Sequence, residues 1–185
     1  MENEIQVILV DKNDHPIGVM EKMEAHEKAL LHRAFSIFIF NSKGEMLIHQ
    51  RASSKYHSPS LWTNACCSHP IPGETTEDAA HRRLMEEMGM TTQVEKAFSF
   101  IYKAELDQGL TEHELDHVFI AHSDEVPQIN LDEVKSWKYI NIDDLQKDVL
   151  VNPEHYTVWF KIALERVIEN KHLIDWNTTP LQKAV

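Results

Sequence analysis

Short runs of apolar residues, separated by polar turns, dominate the first third of the chain. Residues 5–10 and 34–40 are rich in β-branched and aromatic side chains, which predicts buried strands. A polar turn at residues 41–44 ends in glycine, and the apolar pattern resumes at residues 45–50. The runs on either side of this turn are therefore predicted to form a β-hairpin.

The clearest amphipathic helix covers residues 75–88. Thr75 and Asp78 have the spacing of a capping box, and the acidic residues of the first turn complement the positive end of the helix dipole. Gly89 follows as a natural C-terminal stop. An apolar stripe repeats every four residues, at Ala80, Leu84 and Met88.

The rest of the pattern mixes strands and helices without regular βαβ alternation. Strands are predicted at residues 61–68, 94–106, 114–122 and 134–140. A short helix is predicted from residue 142, and Pro153 is expected to open a long amphipathic helix up to about residue 169. Residues 21–31 fit a short helix or a loop. We therefore expect one α+β domain over residues 1–185, layered α/β/α, with a loose tail from residue 171.

Composition narrows the classes of partner. The 185 residues include 18 lysines and arginines and 30 acidic residues, for a net charge of −12. Nucleic acids and anionic membrane surfaces are bound through clustered positive charge, so we expect neither partner. The chain also contains 12 histidines, which are either solvated surface residues or, in part, metal ligands.

The start of the chain and its cysteines favour a cytoplasmic protein. The first residues contain neither a basic segment nor a long apolar run, so no secretory signal is expected. Cys66 and Cys67 are adjacent, and neighbouring cysteines rarely form a disulfide because the geometry is poor. A reducing compartment fits this pair best.

Cys67 is the first candidate for chemistry. A buried cysteine is usually only a small apolar side chain. In a strand, however, Cys67 and His69 would point to the same face, and a nearby cation or metal lowers the pKa of a thiol. We therefore assign a functional thiol to Cys67 and leave Cys66 as packing.

The helix at residues 75–88 carries a second candidate, because its surroundings follow the spacing of the Nudix box. In that motif a loop–helix–loop presents carboxylates to a divalent metal that binds a diphosphate, and such oxygen ligands suit Mg²⁺. Ser68 stands where the motif opens with glycine, and Arg83 stands where a hydrolase carries glutamate. The missing carboxylate argues against a hydrolase, and an ordinary solvated face remains the alternative for the acidic pair. The matching positions are Glu74, Arg82, Leu84, Glu86, Glu87 and Gly89.

A third candidate lies at Glu112 and Glu114, which share one face of an extended chain while His113 takes the other. Two carboxylates on one face repel each other unless they are solvated or bind a metal. Together with three histidines they would make a five-ligand site suited to Mn²⁺, Zn²⁺ or Mg²⁺. The sequence leaves open whether these ligands converge. The histidines are His26, His32 and His69.

Four basic residues form the last candidate. Each alone is an ordinary surface charge, but a converging set would bind a diphosphate well in an otherwise acidic chain. The four are Lys22, Arg51, Lys55 and Arg83.

Taken together, these motifs resemble the type I isopentenyl-diphosphate Δ-isomerases. The resemblance rests on the thiol segment at residues 63–70, the altered Nudix helix, the Glu112-His113-Glu114 motif, the basic segment at residues 51–55 and the early histidines. It covers about residues 5–169. It implies a Nudix-like mixed β-sheet flanked by helices. It also implies conversion of isopentenyl diphosphate into dimethylallyl diphosphate by a 1,3-proton transfer through a carbocation.

The resemblance also implies a role for each candidate. Cys67 would act as acid or base on one face of the substrate, and Glu114, assisted by Tyr102, on the other. Glu87 would bind a Mg²⁺ that bridges to the diphosphate, and Trp159 would lie against the isoprenoid. A tightly bound divalent metal would be held by His26, His32, His69, Glu112 and Glu114. The diphosphate would be held by Lys22, Arg51, Lys55, Ser68 and Arg83.

Trp159 illustrates why such roles are physically sensible. A carbocation in an apolar pocket is costly, and the face of a tryptophan ring is the best aromatic partner for a cation. Trp159 also fits as a core anchor of its amphipathic helix, and the two roles are compatible. We expect a monomer whose partner is a small isoprenoid diphosphate. A Nudix-type diphosphate hydrolase and a non-catalytic, metal-dependent diphosphate-binding module remain the alternatives.

Overall fold

A computed structural model describes residues 5–170, so the loose tail predicted from residue 171 lies outside the described residues. No helix among the described residues is both long and apolar enough to cross a membrane. The strands are β1 (Gln6–Val10), β2 (Pro16–Glu21), β3 (His32–Phe40), β4 (Glu45–Arg51), β5 (Trp62–Thr63), β6 (Cys66–Ser68), β7 (Glu95–Glu105), β8 (Thr111–His122) and β9 (Val134–Asn141). The helices are α1 (Lys22–Glu27), α2 (Thr76–Met88), α3 (Ile142–Val151) and α4 (Val158–Glu169).

Strand β3 is the centre of one mixed sheet. One edge of β3 pairs in parallel with β8 along its whole length, from His32 opposite Glu114 to Phe40 opposite His122. The other edge pairs antiparallel with β1, β6 and β4 in turn. Strands β2, β7 and β9 extend the sheet by pairing with β1, β8 and β4. Because β6 and β8 flank β3, residues on these two strands approach the same region from opposite edges.

The side chains of β3 alternate between two apolar layers, and this alternation buries both faces of the sheet. Phe35 and Ile37 pack in a cluster with Leu84 and other residues of α2. Phe38 packs in a second cluster with Phe160 and other residues of α4. The predicted α/β/α layering, with a mixed sheet flanked by helices, is confirmed.

Helix α2 begins and ends where its capping signals predict. The Thr75 hydroxyl accepts a hydrogen bond from the backbone N–H of Asp78 at 3.1 Å. Gly89 ends the helix with φ +63°, a left-handed conformation that favours glycine. A Cβ at Gly89 would also lie 2.5 Å from the carbonyl oxygen of Gln128, so the close approach of that loop requires glycine as well.

The predicted elements differ from the structure at four places. Strand β2 has no predicted counterpart, because its residues Ile17 and Val19 are largely exposed at a sheet edge and leave no apolar face to detect. The single strand expected at residues 61–68 is two short strands, separated at Asn64, whose side-chain amide donates to two backbone carbonyls. Strand β8 begins at Thr111, three residues before the predicted start.

The fourth difference is the start of the last helix. Pro153 opens only a short 3-10 turn, Pro153–His155, so the prediction that it opens the long helix is wrong. Helix α4 begins at Val158 and is capped by Thr157, whose hydroxyl accepts from the backbone N–H of Phe160. A threonine directly before an apolar run was the better signal.

Candidate active site

A cavity that is open to solvent at its mouth lies where β3, β6 and β8 meet α2 and α4. Of the predicted site residues, all except His32 line this cavity. His32 is fully buried and contacts two of the lining residues, His69 and Glu114. The predicted candidates, spread from Lys22 to Trp159 in the sequence, thus converge on one place.

Three histidines and one carboxylate form a cluster at one end of the cavity. His26 lies on α1, His32 and Glu114 are cross-strand neighbours on β3 and β8, and His69 follows β6. Each offers one ligand atom, and these atoms lie within 4.8 Å of one another. The Nε2 atom of His69 is 2.9 Å from Glu114 Oε1 and 3.3 Å from His32 Nε2.

Two of these histidines have a fixed tautomer. His26 Nδ1 donates to the backbone carbonyl of Lys22 at 2.6 Å, and His32 Nδ1 donates to the carbonyl of Leu30 at 2.8 Å. A carbonyl only accepts, so each Nδ1 carries the proton and each Nε2 presents a lone pair. Metal-binding histidines are oriented by such bonds. Burial also lowers the pKa of His69 to about 3, which keeps that imidazole neutral as a ligand must be. The donor set fits a divalent metal ion.

Glu112, the remaining predicted ligand, lies beside this cluster and is linked to it through Tyr102. The Tyr102 hydroxyl lies 2.7 Å from Glu114 Oε2 and 3.0 Å from Glu112 Oε2. Burial and the nearby charge of Glu114 raise the pKa of Glu112 well above its usual range. Burial would raise the pKa of Glu114 too, but the imidazoles of His32 and His69 beside its carboxylate hold that pKa well below its usual range. A protonated Glu112 can therefore donate to Tyr102, whose own proton is then donated to Glu114.

The adjacent cysteines face opposite sides of the sheet. Cys66 pairs with Ile37 and packs in the α2 cluster, whereas Cys67 pairs with Ser36 and faces the cavity. Burial raises the pKa of Cys67 to about 12, although the positive charge of Arg51 opposes the shift. The sulfur of Cys67 accepts a hydrogen bond from the indole N–H of Trp159 at 3.1 Å.

The four basic residues also line the cavity, and Arg83 lies next to Glu87. Arg83 donates to Glu87 Oε1 at 2.6 Å, so guanidinium and carboxylate lie side by side. The guanidinium of Arg51 lies 5.1 Å from the centre of the Trp159 ring. Ser68 lies on the cavity wall between Cys67 and His69.

The residues of the Nudix-type motif divide into two groups. Arg82 makes two hydrogen bonds to the carboxylate of Glu74, at 2.7 and 2.9 Å, and Glu74 also accepts from the backbone N–H of Ile71. These contacts fasten the loop to α2. Of the two acids at the end of the helix, Glu87 is buried and lines the cavity, whereas the Glu86 side chain is 43% exposed and lies outside it. The helix therefore presents one carboxylate to the cavity.

Several lining residues were missed from the sequence. His57 packs edge-on against Trp159, with ring centres 5.5 Å apart, and against Tyr56 at 4.5 Å. These three rings form an aromatic wall of the cavity, of which only Trp159 was predicted. Glu133, on the loop before β9, lies between Lys55 and Arg83. The run of aromatic residues after Lys55 was a usable signal for the wall. Glu133 belongs to no motif, and only its position in the fold identifies it.

The chain is similar to two groups of sequences. A family model described as the NUDIX domain matches residues 30–160. The isopentenyl-diphosphate Delta-isomerase of Pectobacterium atrosepticum is 52% identical over 162 residues, covering 88% of this chain and 90% of the relative. Isopentenyl-diphosphate Delta-isomerase 2 of Photorhabdus laumondii is 54% identical, covering 84% of this chain and 88% of the relative.

Solved structures share the fold at much lower identity. A crystal structure of a Deinococcus radiodurans protein has a TM-score of 0.73 at 20% identity and covers 87% of this chain and 98% of its own. The MutT protein of Methanosarcina mazei has a TM-score of 0.63 at 17% identity and covers 76% of this chain and 95% of its own. At these identities the likeness shows the fold alone.

Proposed function

The chain belongs to the isopentenyl-diphosphate Delta-isomerase family within the NUDIX fold, and we propose that the cavity around Cys67 and Glu114 is its active site. The enzyme is an isomerase of isoprenoid biosynthesis. Its substrate and product are isopentenyl diphosphate and dimethylallyl diphosphate, which differ in the position of one C=C bond. The observation that carries the assignment is that a protonated thiol and a carboxylate line one cavity from opposite edges of β3.

Moving the double bond requires a proton to be added at one carbon and removed at another. Cys67 donates its proton to the terminal alkene carbon, which leaves a tertiary carbocation. Glu114 removes a proton from the neighbouring allylic carbon, and the electron pair of that C–H bond forms the new double bond. Tyr102 and Glu112 hold the Glu114 carboxylate by the hydrogen-bond chain described above.

The His and Glu cluster would hold one divalent ion through His26, His32, His69 and Glu114. Glu112 would have to lose its proton to join them as an additional ligand. When bound, the ion would supply positive charge that keeps Glu114 ionised and fixes its orientation. Mn²⁺, Zn²⁺ and Mg²⁺ all suit this mixture of imidazole and carboxylate. Burial lowers the pKa of His26 and of His69, which favours neutral imidazoles, and Glu114 offers an ionised carboxylate, as such an ion requires.

The diphosphate is bound by the basic residues that line the cavity. Lys22, Arg51, Lys55 and Arg83 supply the positive charge, and Ser68 lies beside them. Glu87 would hold a Mg²⁺ ion, which would supply further positive charge to the diphosphate, because Mg²⁺ is commonly held by one or two protein carboxylates at phosphate sites. Arg83 keeps Glu87 in place through the 2.6 Å ion pair.

The apolar part of the substrate lies against the aromatic wall. Trp159 offers a ring face that can stabilise the carbocation, and His57 packs against its edge. Burial, together with the positive charge of Arg51, lowers the pKa of His57 to about 3, so this imidazole is uncharged and does not repel a cation. Such walls also exclude water, which would otherwise trap the carbocation as an alcohol.

One incubation separates the isomerase from the two alternatives. The purified full chain is incubated with isopentenyl diphosphate and Mg²⁺, and dimethylallyl diphosphate and released phosphate are both measured. We expect the isomer and no phosphate. Phosphate without the isomer would indicate a hydrolase, and neither product would indicate a binding module. Arg83, at a position where a hydrolase carries an acid, supports the isomerase.

The chain is also proposed to act in the cytoplasm, as a single domain and a monomer. Both cysteines are free thiols, and Cys67 must stay reduced to carry a proton. The thiol would be lost if an oxidising compartment linked it to another cysteine.

A further inference from the structure

Glu133 is the one cavity-lining acid, among the described residues, that has no role in the proposed proton transfer or metal binding. Backbone hydrogen bonds connect its loop to helix α2, which carries Arg83, and to the segment just before Lys55. The backbone N–H of Asn130 donates to the carbonyl of Glu87 on α2 at 2.9 Å, and the N–H of Ala52 donates to the carbonyl of Glu133 at 2.9 Å. The position of Glu133 relative to Lys55 and Arg83 is therefore built into the fold.

The carboxylate of Glu133 lies between these two cations. Its Oε2 atom forms an ion pair with Lys55 Nζ and lies 3.5 Å from Arg83 Nη2. All three side chains are about one-fifth exposed, each at 22%. Burial alone would raise the pKa of Glu133, but hydrogen bonds and charges from Lys55 and Arg83 hold it below its usual range. The Glu133 carboxylate is thus in contact with Lys55 and Arg83, two of the four cations proposed to bind the diphosphate.

We propose that Glu133 competes with phosphate oxygens for Lys55 and Arg83 and thereby selects diphosphates over singly phosphorylated ligands. The proposal rests on the function proposed above, because it takes Lys55 and Arg83 as diphosphate ligands. An incoming anion must interact with these cations more strongly than a carboxylate does. A diphosphate has the charge and reach to contact several cations at once, whereas a single phosphate group gains little by replacing one carboxylate. A fixed negative charge that disfavours the more weakly bound anion is a common source of binding specificity.

Calorimetric titration with inorganic pyrophosphate and inorganic phosphate, at constant Mg²⁺, tests this proposal on the full-length protein. Glu133→Gln keeps the size of the side chain and removes its charge. We expect its Kd for phosphate to fall on the order of tenfold and its Kd for pyrophosphate to fall less, so that the discrimination between them narrows. Glu133→Ala also removes the charge, so it should lower both dissociation constants as well.

The matched control is Glu86→Gln. Glu86 Oε2 accepts from the same arginine, Arg83, at 2.7 Å, but outside the cavity, so its loss should change either Kd by less than about twofold. If both Glu133 variants bind phosphate with unchanged or weaker affinity, the proposal is overturned. Glu133 would then hold Lys55 and Arg83 in place or bind Mg²⁺. If the wild-type protein does not bind pyrophosphate at all, the assignment of the diphosphate site itself fails.

Discussion

The indole nitrogen of Trp159 donates a hydrogen bond to the sulfur of Cys67 over 3.1 Å. The same N–H lies 3.1 Å from the hydroxyl oxygen of Thr63, so helix α4 is tied to both short strands, β5 and β6. A sulfur that accepts this bond keeps its own proton free to point at a substrate. The bond therefore links the orientation of the thiol to the aromatic ring on the cavity wall.

Replacing Trp159 by phenylalanine tests this link, because it keeps an aromatic face and removes the N–H. We expect kcat for isopentenyl diphosphate to fall about fivefold with little change in KM, since one hydrogen bond contributes about 1 kcal/mol. Trp137→Phe is a matched control, because Trp137 packs on the α2 side of the sheet. Wild-type kcat in Trp159→Phe would show that the hydrogen bond has no role in turnover.

The two cysteines should respond differently to replacement by alanine. Cys67→Ala removes the proposed proton donor, and we expect turnover to fall on the order of a thousandfold or more. Cys66→Ala leaves a small cavity in the α2 cluster, so it should lower the free energy of unfolding by about 1 kcal/mol and largely keep turnover. Isomerase assays and denaturant unfolding of both variants check this, and an equal loss of activity would contradict the assignment of Cys67.

Removal of the metal should abolish turnover. After exhaustive chelation we expect no isomer, and activity should return when Mn²⁺, Zn²⁺ or Mg²⁺ is supplied, because the buried ligands need a cation among them. His32→Gln should lose bound metal in elemental analysis. His113→Gln should keep it, since His113 lies on the opposite face of β8 and bonds to the carbonyl of Ala29. Full activity in demonstrably metal-free protein would refute the site.

Local signals account for the parts of the fold that were predicted well. The Thr75 cap and Gly89 define helix α2 to the residue, because both act on backbone groups within one turn. Strand β3 was predicted because both of its faces are buried and its apolar run is interrupted only at Ser36. Strand β2 was not predicted, because it pairs with a strand on one side only and most of its side chains face solvent.

Only those residues of the candidate site that belong to recognisable sequence motifs could be predicted. Cys67, His69 and Glu114 were found because alternation along a strand places them on defined faces. The convergence of His32 with Glu114 depends on the parallel pairing of β3 with β8, which spacing along the chain cannot reveal. Glu133 was missed for the same reason, because its ion pairs join three segments that are distant in sequence.

Buried His49 should make the protein less stable as the solution is acidified. Burial, with the positive charge of Arg51 as a further cause, lowers the pKa of His49 to about 4, from an ordinary value of 6.5. Between these pH values the unfolded chain binds more protons than the folded one, so the free energy of unfolding falls as the pH drops, by about 3 kcal/mol for this group.

Denaturant unfolding between about pH 7 and pH 4.5 measures the slope of the free energy of unfolding against pH. His49→Asn cannot titrate and should give a shallower slope, whereas the exposed control His15→Asn should follow the wild type. Identical slopes for all three proteins would show that protonation of His49 does not contribute to acid unfolding.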